Sequence, residues 1–120
     1  MLIGVDLVEI DRLRQAVERT PGFLLKVYTE VEINYCHSKK NPYPSLAARF
    51  AAKEAVRKLS REFQQGVSLS DIEVKNDSDG KPSLLLHGLA AKAFADLGFS
   101  AIELSLSHTD QAAVAMVVVY

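Results

Sequence analysis

Arg49-Phe50-Ala51-Ala52-Lys53-Glu54-Ala55-Val56-Arg57-Lys58 is the stretch from which the rest of the chain can be read. Its alanines make it a strong helix former. On a helix, Arg49, Lys53 and Arg57 stand at i, i+4 and i+8 and form one basic ridge, with Glu54 beside it. One carboxylate among such cations suits a site that holds a metal and a polyphosphate together. The same residues also describe a plain solvated face, with Glu54 paired to Lys58 at i, i+4. Pro42 and Pro44 bar helix up to Ser45, a good N-cap, so the helix is expected from Leu46 to about Phe63. About eighteen residues would span roughly 27 Å and make this helix central to the fold.

Upstream, Leu2 to Val8 reads as a buried strand, apolar and partly β-branched. Gly4 permits a close backbone approach there. Asp6 is out of place in such a strand, because a buried carboxylate is costly unless paired, hydrogen-bonded or bound to a cation. It is either a cap or buried hydrogen-bond partner, or a metal ligand. Ile10 to Val17 is an amphipathic helix with Ile10, Leu13 and Val17 inward and Arg12, Arg14 and Arg19 elsewhere. Pro21-Gly22 breaks it, and Phe23 to Val27 makes a turn or two. Thr29 and Glu32 spell a capping box for a helix from Glu30 to about His37. Cys36 is read as a small core residue.

Downstream, Gln64-Gln65-Gly66 ends the long helix. Asp71 to Lys75 alternates, and Ser83 to Leu86 returns as the second strand of a hairpin. Its turn, Asn76 to Pro82, is not a calcium loop: Lys75 stands where the first ligand belongs and Leu86 where the bidentate Glu belongs. Gly88 to Leu97 is a short helix closed by Gly98. Ile102, Leu104 and Leu106 alternate with polar residues, His108-Thr109-Asp110-Gln111 turns the chain, and Ala112 to Val119 is almost wholly apolar. A strand of that kind requires cover on both faces, and a second subunit can supply one of them. The expected fold class is α+β, a mainly antiparallel sheet packed with a long central helix, in one domain over residues 1–120.

Composition narrows the function. Hydrophobic residues at 48% and charged residues at 24% are ordinary for a globular protein. A formal net charge of -1 argues against a nucleic-acid binder. No apolar run is long enough to span a bilayer. The start lacks the basic region of a signal peptide, and the single cysteine excludes an internal disulfide and a Cys-x-x-Cys zinc site, so a cytoplasmic location is expected.

Asp6, Glu54 and His108 are the residues expected to converge. Two carboxylates suit magnesium, which takes its other ligands from water and phosphate. The basic ridge would hold the phosphates, and His108 and Thr109 would add donors at a turn. The two carboxylates with His108 would also make a transition-metal set, but the surrounding cations favour magnesium and a phosphorylated ligand. There is no Walker loop, dinucleotide fingerprint or nucleophile elbow. Ser107, His108 and Asp110 are too close in sequence to face one another as a triad.

Gly4-Val5-Asp6, followed downstream by Lys53-Glu54-Ala55-Val56-Arg57-Lys58, resembles the paired signature of the 4'-phosphopantetheinyl transferases. Arg49 to Ala55, Asp71 to Val74, Gly80 to Pro82 and Leu106 to Thr109 are similar, in order, to the small bacterial branch of that family. The resemblance implies the family's fold and homotrimeric assembly, with sites between subunits. It implies transfer of the phosphopantetheine arm of coenzyme A to a serine of an acyl carrier protein, releasing adenosine 3',5'-bisphosphate. By the same resemblance Asp6 and Glu54 ligate Mg2+, Lys58 lies near the phosphates, and Arg49, His108 and Thr109 contact coenzyme A. Arg12 faces the acidic carrier, with Arg14 beside it, and Glu54 is the candidate base for the carrier serine. One departure is plain: Leu59 to Gly66 replaces the family's Gly-Thr-Gly segment near the nucleotide. A non-catalytic coenzyme A-binding or scaffolding homologue is therefore the alternative reading.

Overall fold

The structure, a computed structural model, describes residues Met1–Tyr120. The elements run β1 (Leu2–Glu9), α1 (Ile10–Arg19), α2 (Phe23–Val27), α3 (Glu30–His37), α4 (Tyr43–Arg57), β2 (Ile72–Asn76), β3 (Pro82–Leu86), α5 (Gly88–Asp96), β4 (Ile102–His108) and β5 (Ala112–Val119). Single 3-10 turns at Arg61–Phe63 and Leu69–Asp71 bridge α4 to β2. β5 is the middle strand of an antiparallel sheet in the order β1-β5-β4, and β2 with β3 forms a separate antiparallel hairpin. The class is α+β, as the element pattern implies.

α4 lies on the inner face of the three-stranded sheet. Alternation on β5 sends Ala113, Ala115, Val117 and Val119 inward, where all are buried. α4 meets them with Ala51, Ala52 and Ala55, residues small enough for two backbones to come close. The closest approach is at Gly4 of β1. A Cβ added there would stand 3.0 Å from the carbonyl carbon of Ala55 and nearer still to its oxygen. Gly4→Ala is therefore expected to push α4 off β1 and cost about 3 kcal/mol, read by urea unfolding. The same shift carries Glu54 away from Asp6.

The long helix differs from its sequence reading at both ends. It covers 15 residues, with Pro42 rather than Ser45 at the cap and Pro44 inside the first turn. A first-turn proline loses nothing, because the N–H it lacks has no partner there, and Leu46 N–H bonds back to the Pro42 carbonyl at 2.9 Å. The helix stops at Arg57, and the 3-10 turn that follows drops Phe63 fully buried into the core. Burial of that ring, not a continued helix, is the reason the apolar pattern runs on to Phe63.

The ridge of Arg49, Lys53 and Arg57 is not a solvated face. Lys53 is fully buried and Arg49 nearly so. Lys53 Nζ donates to Glu32 Oε1 at 2.7 Å, to the Leu69 carbonyl at 3.1 Å and to the Ile72 carbonyl. Glu32, also fully buried, accepts from Thr29 N–H at 3.0 Å through Oε1 and from Val74 N–H at 3.0 Å through Oε2. The capping box of α3 is thus present, and its Glu also ties α4 to β2. Burial pulls the Lys53 pKa below the ordinary lysine value, with the Glu32 carboxylate pulling the other way. Cys36 is buried as expected, and burial raises its thiol pKa to about 11.

β5 is covered by α4 on one face only. The outer face of the sheet carries Ile3, Val5 and Leu7 of β1 and Met116 of β5, all exposed. No helix is long and apolar enough to cross a membrane.

Candidate active site

Asp6 reaches the inner face of the sheet because it shares strand parity with Gly4. Glu54 follows buried Lys53 on α4, so it is turned about one residue's rotation out of the core. The two carboxylates line one cleft of about 510 Å³, together with Glu9, Arg12, Phe23 and Phe50. Asp6 accepts an ion pair from Lys58, Nζ to Oδ1, at 2.7 Å. Glu54 is not paired with Lys58; its nearest cation is Arg57, with Nη1 at 3.8 Å from Oε1. No three His, Cys, Asp or Glu side chains stand close enough together to hold a metal ion, Glu9 at the rim of this cleft included. The donor set is therefore two carboxylates, oxygen only. That fits a magnesium ion that completes its shell with water and substrate oxygens, and it does not fit a transition metal seeking nitrogen or sulfur.

His108 does not join that pair within one chain. It ends β4 on one edge of the sheet, while Asp6 sits on β1 at the other edge. Two strand spacings separate them by roughly 10 Å or more, and α4 covers the strand between. His108 instead lines a second cleft, of about 280 Å³, with Arg49, Tyr35, Lys39 and Asn76. Arg49 donates to Asn76 Oδ1, and its guanidinium carbon lies 4.3 Å from the centre of the Tyr35 ring. Lys39 Nζ approaches the same ring at 4.9 Å. Arg49 Nε is buried without a partner. Three basic side chains and no carboxylate line this cleft, which suits an anion. Tyr35, Lys39 and Asn76 escaped the sequence reading. Only their position beside Arg49 marks them, and that is a tertiary fact.

Thr109 lies just past His108, where its Oγ1 accepts from Gln111 N–H at 3.2 Å and Ala112 N–H at 3.1 Å. The hydroxyl is held by the turn, and its own hydrogen is free for an outside acceptor. Arg12 is exposed and lines the carboxylate cleft without an ion pair. Arg14 does not stand with it. Its guanidinium is held by Asp11 at 2.6 Å and Glu18 at 2.8 Å, and it lines a larger cleft of about 770 Å³ with Glu9, Asp11 and Asp110. That cleft has the wrong charge for a phosphate.

The sequence matches the 4'-phosphopantetheinyl transferase superfamily over residues 2–117, and the chain belongs to that family. Within it, the chain is similar to the holo-[acyl-carrier-protein] synthase of Carboxydothermus hydrogenoformans, 46% identical over 118 residues that make up 98% of this chain and 95% of the relative. Among solved structures it resembles the Helicobacter pylori holo-[acyl-carrier-protein] synthase in complex with coenzyme A, with 29% identity, a TM-score of 0.81, and coverage of 99% of this chain and 100% of that one. A coenzyme A complex from Chronobacterium ammoniagenes superposes with a TM-score of 0.87 at 29% identity, covering 99% and 96% of the two chains.

Proposed function

We propose that residues 1–120 act as one domain that transfers 4'-phosphopantetheine from coenzyme A to a serine of an apo-acyl carrier protein in the cytoplasm. The carrying observation is that Asp6 and Glu54, distant in sequence, line one cleft in a chain of this family, with Lys58 paired to Asp6. The reaction is a displacement at phosphorus, so alignment and charge neutralisation supply most of the rate. Asp6 and Glu54 would hold Mg2+, which supplies charge neutralisation at the diphosphate. Glu54 accepts the proton of the serine hydroxyl, directly or through a water. Lys58 offers an ammonium to the phosphates. Arg49, His108 and Thr109 hold the nucleotide end. Incubating the protein with apo-carrier, coenzyme A and magnesium should add the mass of one phosphopantetheine to the carrier. Coenzyme A binding with no mass gain, while a working synthase succeeds in parallel, would favour the non-catalytic homologue.

The carboxylate cleft and the cationic cleft open at opposite edges of one sheet, so the chain alone offers two half-sites. The bare apolar outer face of that sheet supports assembly into a homotrimer in which one copy's Arg49, His108 and Thr109 meet a neighbour's Asp6, Glu54 and Lys58. Light scattering should then give three times the mass of the chain. Mixing Glu54→Gln with Arg49→Ala chains should restore turnover that neither has alone, since some interfaces would combine two intact halves. No recovery after subunit exchange would refute shared sites.

Carrier docking is assigned to Arg12. Because its charge is unpaired, Arg12→Glu is expected to raise the KM for the acidic carrier about tenfold and to flatten its salt dependence. Arg14→Glu should do much less, its charge being already taken up by Asp11 and Glu18. Equal effects from the two variants would put docking elsewhere.

A further inference from the structure

We propose that Lys58 occupies the place of the metal on Asp6 and leaves it when the site is loaded, so that cation binding and phosphate capture are coupled through one side chain. The inference rests on the magnesium reading above and concerns what the free protein does. Lys58 caps the C-terminus of α4, one turn beyond Glu54. A lysine there ordinarily pairs with the Glu four residues back. Lys58 instead crosses to β1 and places Nζ 2.7 Å from Asp6 Oδ1. The Asp6 side chain is 14% exposed and the Lys58 side chain 54% exposed. The carboxylate is thus held in place, while the ammonium is wet and on a flexible stem. Glu54, with only the distant Arg57 contact at 3.8 Å, is left nearly open.

A divalent cation shared by Asp6 and Glu54 would meet the ammonium at a few ångströms, and like charges that close repel strongly. Lys58 must then swing out, and the diphosphate of the substrate is the anion that gives it a new partner. Two consequences follow for the chain's own residues. The free protein binds the cation more weakly than two carboxylates alone would, because Lys58 competes for Asp6. Coenzyme A relieves that competition, so each ligand strengthens the other by the same factor.

Calorimetric titration with Mg2+ alone, without coenzyme A or carrier, separates these effects from turnover. Lys58→Met is expected to bind Mg2+ about three- to fivefold more tightly than the parent, the size of an exposed ion pair. Lys58→Arg, which keeps the charge, should stay near the parent, and Asp6→Asn should lose the binding. The strengthening of Mg2+ binding by coenzyme A should shrink in Lys58→Met. Equal or weaker Mg2+ binding by Lys58→Met than by the parent overturns the displacement and leaves the metal site standing. Absence of Mg2+ binding in every chain overturns the metal site and this proposal with it.

Discussion

Glu54→Gln is expected to lower turnover by at least about a hundredfold while leaving the fold close to that of the parent. The variant keeps the shape of the side chain and removes its charge and basicity. Nothing structural is lost, because Glu54 makes no short bond and its one ion contact, to Arg57, is 3.8 Å long. What is lost is a candidate metal ligand and the candidate acceptor of the serine proton, in the same residue. Steady-state assay with apo-carrier beside a thermal melt separates the outcomes. Near-normal turnover would remove Glu54 from both roles. A lowered melting point with proportionally lowered turnover would make it a structural residue.

Lys53→Met should do the reverse, acting on the fold before the chemistry. Lys53 and Glu32 form a buried ion pair at 2.7 Å, with both side chains wholly excluded from solvent. Removing the cation leaves the Glu32 carboxylate buried and strips a donor from the Leu69 and Ile72 carbonyls. The expected cost is about 3–5 kcal/mol, read by urea unfolding. The double variant Glu32→Leu, Lys53→Met removes both charges and should recover much of that loss, since a buried pair taken out whole is often neutral or stabilising. A double variant as unstable as the sum of the two single variants would mean that the pair is not the coupling element between α3, α4 and β2.

These two neighbours on α4 show where sequence reasoning reaches and where it stops. Lys53 and Glu54 are adjacent, and on the page both are charged residues of an alanine-rich helix. The small residues around them, the capping box of Thr29 and Glu32, and the alternation of Ile102 to Ser107 were legible because each is a local rule: helix period, cap chemistry, strand period. The helix ends were misplaced because a proline tolerated in the first turn looks like a breaker, and because Phe63 continues an apolar pattern after the helix has stopped. Of Asp6, Glu54 and His108, the first two share a cleft within one chain and His108 lines another. Register on β5 places Asp6 and His108 on opposite edge strands, and no spacing in the sequence carries that information.

By itself the sequence determined the α+β class and the family signature, because those depend on residue types at short spacing, and it singled out Asp6 and Glu54 as the candidate pair. The tertiary structure alone decided which cations are free to act. It buried Lys53 beneath β2, turned Arg49 toward Tyr35 and Asn76, locked Arg14 between Asp11 and Glu18, and sent Lys58 across to Asp6. The physical reason is that a charge's role depends on what lies within a few ångströms of it, and three of these four cations, Lys53, Arg49 and Lys58, have a partner 21, 27 and 52 residues away along the chain.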